Sequence, residues 1–191
     1  MGKISTFTFM SLDGFYAGPN GEMDWFKGNS PDAEYDKFTH EGSKSGSTLI
    51  FGRATYEMMK NYWPTPDAIK SDRNMAEVVN NSPKIVFSKT LRKVEEGAHW
   101  KNIKLLHEIR AEEIVELKEQ EGKGMTILGS GTIIQQLSNL GLVDEYGLLI
   151  IPVVLGAGKS LFHDVKKANL NLLEARSFRN GIAWLRYHPI K

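Results

Sequence analysis

The chain is expected to fold as an α/β protein with a mainly parallel central sheet flanked by helices and a C-terminal antiparallel hairpin. Three observations carry that expectation. Short apolar runs alternate along the chain with segments of helical composition, the pattern produced by right-handed βαβ crossovers. Glycines stand where an apolar run gives way to a helix, as at Gly52 and Gly129. The last stretch instead sets two strand-like runs around Asn180-Gly181, a strong signal for a type I′ hairpin.

Lys3 to Met10 reads as the first strand, with Ile4, Phe7 and Phe9 separated by Ser and Thr. Ser11 to Gly21 is rich in Gly, Asp, Asn and Pro and reads as a long loop. Ser30 suits a helix N-cap with Pro31 as the first helical residue, and Asp32 and Glu34 favour the positive end of a helix running to about Glu41. Ser47 to Phe51 is a second strand, broken by Gly52, and Ala54 to Asn61 is a helix that Pro64 and Pro66 stop. A helix around Asp72 to Asn80 precedes a strand at Lys84 to Ser88, and a strand at Ile103 to Leu106 precedes a charged helix from about Ala111 to Gln120. Met125 to Leu128, the turn Gly129-Ser130-Gly131 and a helix from Thr132 to Asn139 follow. Glu145 to Leu155 is a long apolar strand, and Leu170 to Phe178 with Ile182 to His188 form the hairpin. No repeat or linker composition interrupts the sequence, so residues 1–191 are expected to form a single domain.

Composition narrows the function. Hydrophobic residues make up 41% and charged residues 25%, as in ordinary globular chains. Lys plus Arg number 24 against 23 for Asp plus Glu, so no global positive field exists to attract nucleic acid or an anionic membrane. The longest apolar stretch, Leu148 to Leu155, contains Pro152 and is too short to span a bilayer. The absence of cysteine excludes disulfides, thiolate metal sites and a catalytic thiol, which suits the cytoplasm. His40, His99, His107, His163 and His188 show no metal-ligand spacing, so no metal is expected. Gly156 to Ser160 imitates the end of a P-loop, but Val153 stands where that loop needs its first glycine.

The candidate chemistry gathers at strand-to-helix turns. Gly129-Ser130-Gly131-Thr132 and Gly52-Arg53-Ala54-Thr55 each combine close backbone approach with the positive end of a helix, and Arg53 adds a guanidinium. Ser88-Lys89-Thr90 ends a further strand with two hydroxyls and an ammonium suited to an extra phosphate. Parallel strands bring all three to the carboxyl edge of the sheet, where α/β proteins bind ligands. Ile134 replaces the third glycine of the ordinary dinucleotide fingerprint. In the first loop, Asp13 either meets a ligand or caps its own turn. Trp25, Phe26, Tyr56 and Trp63 could line a pocket for a flat heterocycle.

Ser11-Leu12-Asp13-Gly14, Phe51-Gly52-Arg53-Ala54-Thr55-Tyr56-Glu57, Gly129-Ser130-Gly131, and Pro152 to Gly158 followed by Leu161-Phe162 together resemble the dihydrofolate reductase superfamily. More closely, they resemble the C-terminal reductase domain of the bifunctional riboflavin-biosynthesis deaminase-reductase and its stand-alone relatives, over nearly the whole chain. The resemblance implies an NADPH-dependent reductase of a small heterocyclic or carbonyl substrate, commonly a homodimer. It places Leu12, Ala17 and Gly18 of the first loop near the nicotinamide, Gly52, Arg53, Thr55 and Gly129 to Thr132 at the phosphates, and Ser88, Lys89 and Thr90 near the adenosine. Trp25 and Tyr56 are then substrate-binding candidates, and Asp13 and Asp36 the catalytic ones. Dihydrofolate reductases grip the pterin with a carboxylate early in the first helix, for which Asp32, Glu34 and Asp36 all qualify. The riboflavin-type lysine before Ser-Leu-Asp-Gly is absent here, where Thr8-Phe9-Met10 precedes Ser11, and so is its Asp-Asn-Pro segment. The competing class is a non-catalytic nucleotide-binding or regulatory protein that keeps the phosphate turns.

Overall fold

The structure, a computed structural model, describes residues 1–26, 31–43, 45–120 and 122–190. Its strands are β1 (Ile4–Ser11), β2 (Phe15–Ala17), β3 (Thr48–Gly52), β4 (Lys84–Phe87), β5 (Ile103–Leu106), β6 (Met125–Leu128), β7 (Glu145–Ile151), β8 (Lys159–Ser160), β9 (Leu170–Ser177) and β10 (Ala183–Pro189). Its helices are α1 (Ala33–Ser43), α2 (Arg53–Tyr62), α3 (Pro66–Ser71), α4 (Arg73–Asn81), α5 (Ala111–Gln120) and α6 (Gly131–Asn139).

An eight-stranded sheet runs in the order β5-β4-β3-β6-β1-β7-β10-β9. Every pairing from β5 to β7 is parallel, and β10 is antiparallel to both β7 and β9, as expected from the sequence. Because β6 is inserted between β3 and β1, the turns that follow β3 and β6 open side by side. β2 and β8 form a separate antiparallel pair that ties the first loop to the segment after β7.

Period-two alternation separates the two faces of the sheet. Ile50 joins Ile4, Ile127, Ile114, Leu117, Ile133 and Leu137 beneath α5 and α6. Its neighbours Leu49 and Phe51 join Val86, Tyr56, Val79 and Trp100 beneath α2 and α4. Full burial of side chains such as Phe51 and Ile50 contributes roughly 1.5–3 kcal/mol each. At the edge of the second cluster the Lys84 ammonium is buried, donating to the carbonyls of Asn80, Ser82 and Lys101 at 2.9, 2.7 and 3.2 Å, with the Trp100 ring 4.5 Å away. Burial pushes its pKa down to about 8.

Helix α1 behaves differently. None of its residues is buried. Tyr35 and Phe38 lean on Phe178, each with 5.3 Å between ring centroids, Phe38 also meets Trp184 of β10 at 5.1 Å, and Glu34 pairs with Arg176 of β9.

Several local expectations change. Ser30 lies outside the described residues, and Asp32 caps α1, accepting from the N–H groups of Glu34 and Tyr35. Thr65 caps α3, a helix the sequence reading passed over, with Pro66 inside its first turn. β7 stops at Ile151 instead of reaching Leu155, because Pro152 has no N–H for the ladder and the chain turns to pair Val153 N–H with the Ile151 carbonyl. The C-terminal hairpin forms, but a type I′ turn needs positive φ at both central residues, and of Asn180 and Gly181 only Gly181 has it, at 84°.

Candidate active site

A cavity of about 670 Å³ opens at the carboxyl edge, between the ends of β1, β3 and β6 and helices α1, α2 and α4. Gly52, Arg53, Ala54 and Thr55 line it from one turn, and Gly129, Ser130, Gly131 and Thr132 from the other. Neither α2 nor α6 carries a side-chain cap, so the donors of their first turns remain available to an anion. The turns are fastened together: Ser130 takes a left-handed conformation with φ 48°, and its Oγ accepts the Gly52 N–H at 2.9 Å. Such a conformation costs a non-glycine residue about 1 kcal/mol, which this cross-link offsets. A side chain on Gly131 would strike the Tyr16 ring, which rests directly on that turn.

Charge divides the cavity. Arg53 and Lys159 lie among its lining residues with the two turns, while Asp36 and Asp72 line it from α1 and from the start of α4. Asp72 is held in place, accepting from Met75 N–H at 3.0 Å and lying 2.8 Å from His40 Nε2. Between these poles the wall is aromatic and thioether-rich: Phe9 stacks on Phe26 at 4.9 Å, and Met58, Met59 and Trp63 project from α2 and the residue after it. Tyr35 also lines the cavity, and burial pushes its hydroxyl up to about 12, so it stays protonated at neutral pH. Thr8 Oγ1 is buried without a hydrogen-bond partner among the described residues, and Thr8 lines the same cavity.

The structure brings together Ala17, Asp36, Gly52, Arg53, Thr55 and Gly129 to Thr132. Ser88, Lys89 and Thr90 lie outside the cavity but beside it, since Arg53 Nη1 donates to Thr90 Oγ1 at 2.9 Å. Ser88 Oγ is engaged with the N–H groups of Thr90 and Leu91, so it shapes that turn.

Other expected site residues lie elsewhere. Asp13 does not reach the cavity: it accepts from Ser11 Oγ at 2.6 Å and from the N–H groups of Leu155 and Gly156. The Ser11 hydroxyl and those backbone donors hold its carboxyl below the usual range, as an ionised clasp between two loops. Tyr56 is buried against Trp100, because its position on α2 points into the core beneath the helix while Met58 and Met59 face the cavity. Trp25 packs edge-on against Phe26, with Nε1 donating to the Glu22 carbonyl. Leu12 is exposed and Gly18 is occupied in a turn with Glu22, neither lining the cavity. Among the first-helix carboxylates, Asp32 caps the helix and Glu34 pairs with Arg176 at 2.7 Å, leaving Asp36 on the cavity wall.

Sequence reasoning missed Thr8, Tyr16, Asp72 and Lys159. For Thr8 a signal existed: it shares its side of β1 with buried Ile4 and Thr6, and a lone hydroxyl on a core-facing strand position calls for a partner.

Among the described residues, no helix is long and apolar enough to cross a membrane, and no group of three or more metal-ligating side chains gathers.

Comparison with known proteins agrees with this architecture. Residues 3–184 match the RibD C-terminal domain family. The chain is 35% identical over 180 residues to the uncharacterised protein YyaP of Bacillus subtilis, covering 94% of this chain and 90% of YyaP. Among solved structures, a protein assigned to riboflavin biosynthesis from Shewanella sp. PV-4 superposes with a TM-score of 0.78 at 22% identity, covering all of both chains. Dihydrofolate reductase from Enterococcus faecalis, solved with NADP(H), superposes with a TM-score of 0.64 at 17% identity over 99% of this chain and 97% of that one. The fold is therefore that of the dihydrofolate reductases.

Proposed function

Because the chain belongs to the RibD C-terminal domain family, we propose that it is an NADPH-dependent reductase of a small planar heterocycle or carbonyl compound. The observation that carries this reading is one cavity in which two uncapped, glycine-bearing helix starts and Arg53 face a carboxylate, Asp36, across aromatic and methionine walls.

The residues present fit the cofactor. The turns at Gly52 to Thr55 and Gly129 to Thr132 offer backbone donors for a pyrophosphate, and Arg53 with Thr90 offers a charged and a neutral donor for an additional phosphate. NADPH, when bound, supplies a hydride to the carbon of a C=N or C=O bond. The protein holds the acceptor flat between Phe26 and the methionines, excludes water, and places Asp36 to anchor donor groups of the ring and relay the proton its heteroatom takes up. The unpaired Thr8 hydroxyl is available to a carboxamide or ring heteroatom.

The test is calorimetric NADPH binding followed by NADPH oxidation against pterins, pyrimidines and carbonyl compounds. Binding with turnover of one class establishes the reductase. Tight binding without turnover across the panel replaces it with the nucleotide-binding reading, and absence of binding overturns both.

A further inference from the structure

A reduction consumes one proton with every hydride, and a carboxylate that relays the proton, as Asp36 does, must draw it from a source. A second carboxylate, Asp72, lines the same cavity and has no part in holding the cofactor or the ring. It stands at the corner where α3 gives way to α4, and its two oxygens have separate duties. Oδ1 accepts the Met75 N–H at 3.0 Å and caps α4. Oδ2 lies 2.8 Å from His40 Nε2, across from α4 to α1. A cap needs only one oxygen, so the contact with the histidine is additional to it.

His40 stands behind both cavity carboxylates. It is bonded to Asp72, and Asp36 precedes it by four residues on α1, which puts the two one turn apart on the same side of the helix. The imidazole itself does not line the cavity; its side chain is 31% exposed, and Nδ1 makes no hydrogen bond among the described residues. The ring thus meets water on one side and a cavity carboxylate on the other. Neighbouring charges do not compete for it. Lys37 pairs with Glu41 on α1 at 3.9 Å, and Lys70 and Arg73, on either side of Asp72 in the chain, are exposed and form no ion pair among the described residues. Imidazole is the side chain that changes charge between about pH 5 and 8, so such a pair can hold a transferable proton where a free carboxyl group holds none.

We propose that His40 and Asp72 are the proton supply of the reaction, Asp72 delivering the proton into the cavity and His40 acting behind it as a positioning residue that recharges it. The inference rests on the cavity being a reductase site. In each turnover the acceptor carbon gains the hydride of NADPH with its electron pair, the π electrons of the C=N or C=O bond move to the heteroatom, and the heteroatom gains one proton. That proton is the one shared by His40 Nε2 and Asp72 Oδ2 when the histidine is charged. It passes through Asp72 into the cavity, where Asp36 relays it, and leaves a neutral imidazole beside an ionised carboxylate. Water returns a proton to the exposed ring once product has left.

The test compares the full chain with His40→Gln, which keeps a donor toward Asp72 and the tether between the helices but carries no proton to give. Dihydropterin and phenanthrenequinone serve as the C=N and C=O acceptors. The variant is expected to lower kcat about 10²-fold, with KM and calorimetric NADPH affinity within about twofold of wild type. Wild-type kcat should fall as pH rises through about 5 to 8, and the variant should lose that dependence. Imidazole added to His40→Ala should recover about tenfold in rate. A readout without turnover uses nitrogen-15 histidine in the chain free of NADPH: phenanthrenequinone in the cavity should shift the His40 ring and leave the exposed His163 still. A His40→Gln chain with wild-type kcat and pH profile, or a His40 resonance that ignores the quinone, overturns the proposal. A slower variant that has lost NADPH affinity or unfolding midpoint in step, and that imidazole does not rescue, also overturns it and makes His40 a tether for α1. Wild type that reduces no pterin, pyrimidine or carbonyl compound loses the reductase reading itself, and the proton supply falls with it.

Discussion

On one face of the same sheet, the ground beneath α2 and α4 is filled and the ground beneath α1 is hollow in part. Beneath α2 and α4, Leu49, Phe51, Val86, Tyr56, Val79 and Trp100 interlock, and even an ammonium, Lys84, is enclosed with three carbonyls. Beneath α1, Tyr35 and Phe38 pack on Phe178 and Trp184, but serines, a threonine and a glycine line a second cavity beside the main one. Packing energy is concentrated where the fold needs it, and the sheet does without that energy where a ligand must enter. Substitutions in the filled half should therefore move stability, and those around the hollow half should move binding and rate.

Asp36→Asn is the strongest way to break that division. It is expected to lower the reduction rate about 10²–10⁴-fold while leaving NADPH affinity and the unfolding midpoint near wild type. Steady-state kinetics beside calorimetry would show it, and an unchanged kcat would remove Asp36 from the chemistry.

Lys84→Met makes the opposite prediction, stability without activity. The folded pKa of Lys84 lies near 8, below the unfolded value of 10.5, so the enclosed charge opposes folding below pH 8 and that opposition disappears as pH rises toward 10.5. Wild type should gain on the variant by up to roughly 3 kcal/mol across that window. Urea unfolding at a series of pH values measures it, and parallel curves for the two proteins would show that the carbonyls and Trp100 cancel the cost of burial.

Arg53→Ala, at the boundary between the halves, should weaken NADPH about tenfold or more, through loss of a charge-assisted contact, with no change in unfolding. Equal affinities would place the cofactor phosphates elsewhere. The smallest effect sharpens the comparison most: Thr8→Val removes an unpaired buried hydroxyl and is expected to stabilise the free chain by about 1 kcal/mol while costing ligand affinity severalfold. A variant that loses stability would mean that Thr8 is satisfied in the free protein.

The sheet, its antiparallel edge and both phosphate-type turns were legible in the sequence, because strand and helix periods and glycines at strand ends are local signals. The side chains of the site were less so. Asp13 and Asp36 look equivalent as carboxylates near turns, and only the meeting of the first loop with the segment after β7, more than a hundred residues away, shows that Asp13 is committed to backbone donors. Tyr56 and Met58 differ in sequence by two places but face opposite ways on α2, which is decided by where the sheet lies. The short pair of β2 with β8 left no periodic trace, since strands of 3 and 2 residues are too brief to alternate.

The exposure of α1 has a consequence for how such a protein can diverge. Apart from Tyr35 and Phe38, which pack on Phe178 and Trp184, the helix holds to no core cluster, so its other positions can be rewritten with little penalty to folding, and among them are Asp36 and Thr39 on the wall of the main cavity. New substrate preferences could be acquired by recoding one surface helix, while the turns at Gly52 and Gly129 and the core beneath α2 keep the scaffold constant. Descendants of this architecture would share their strand-to-helix turns and differ in diet.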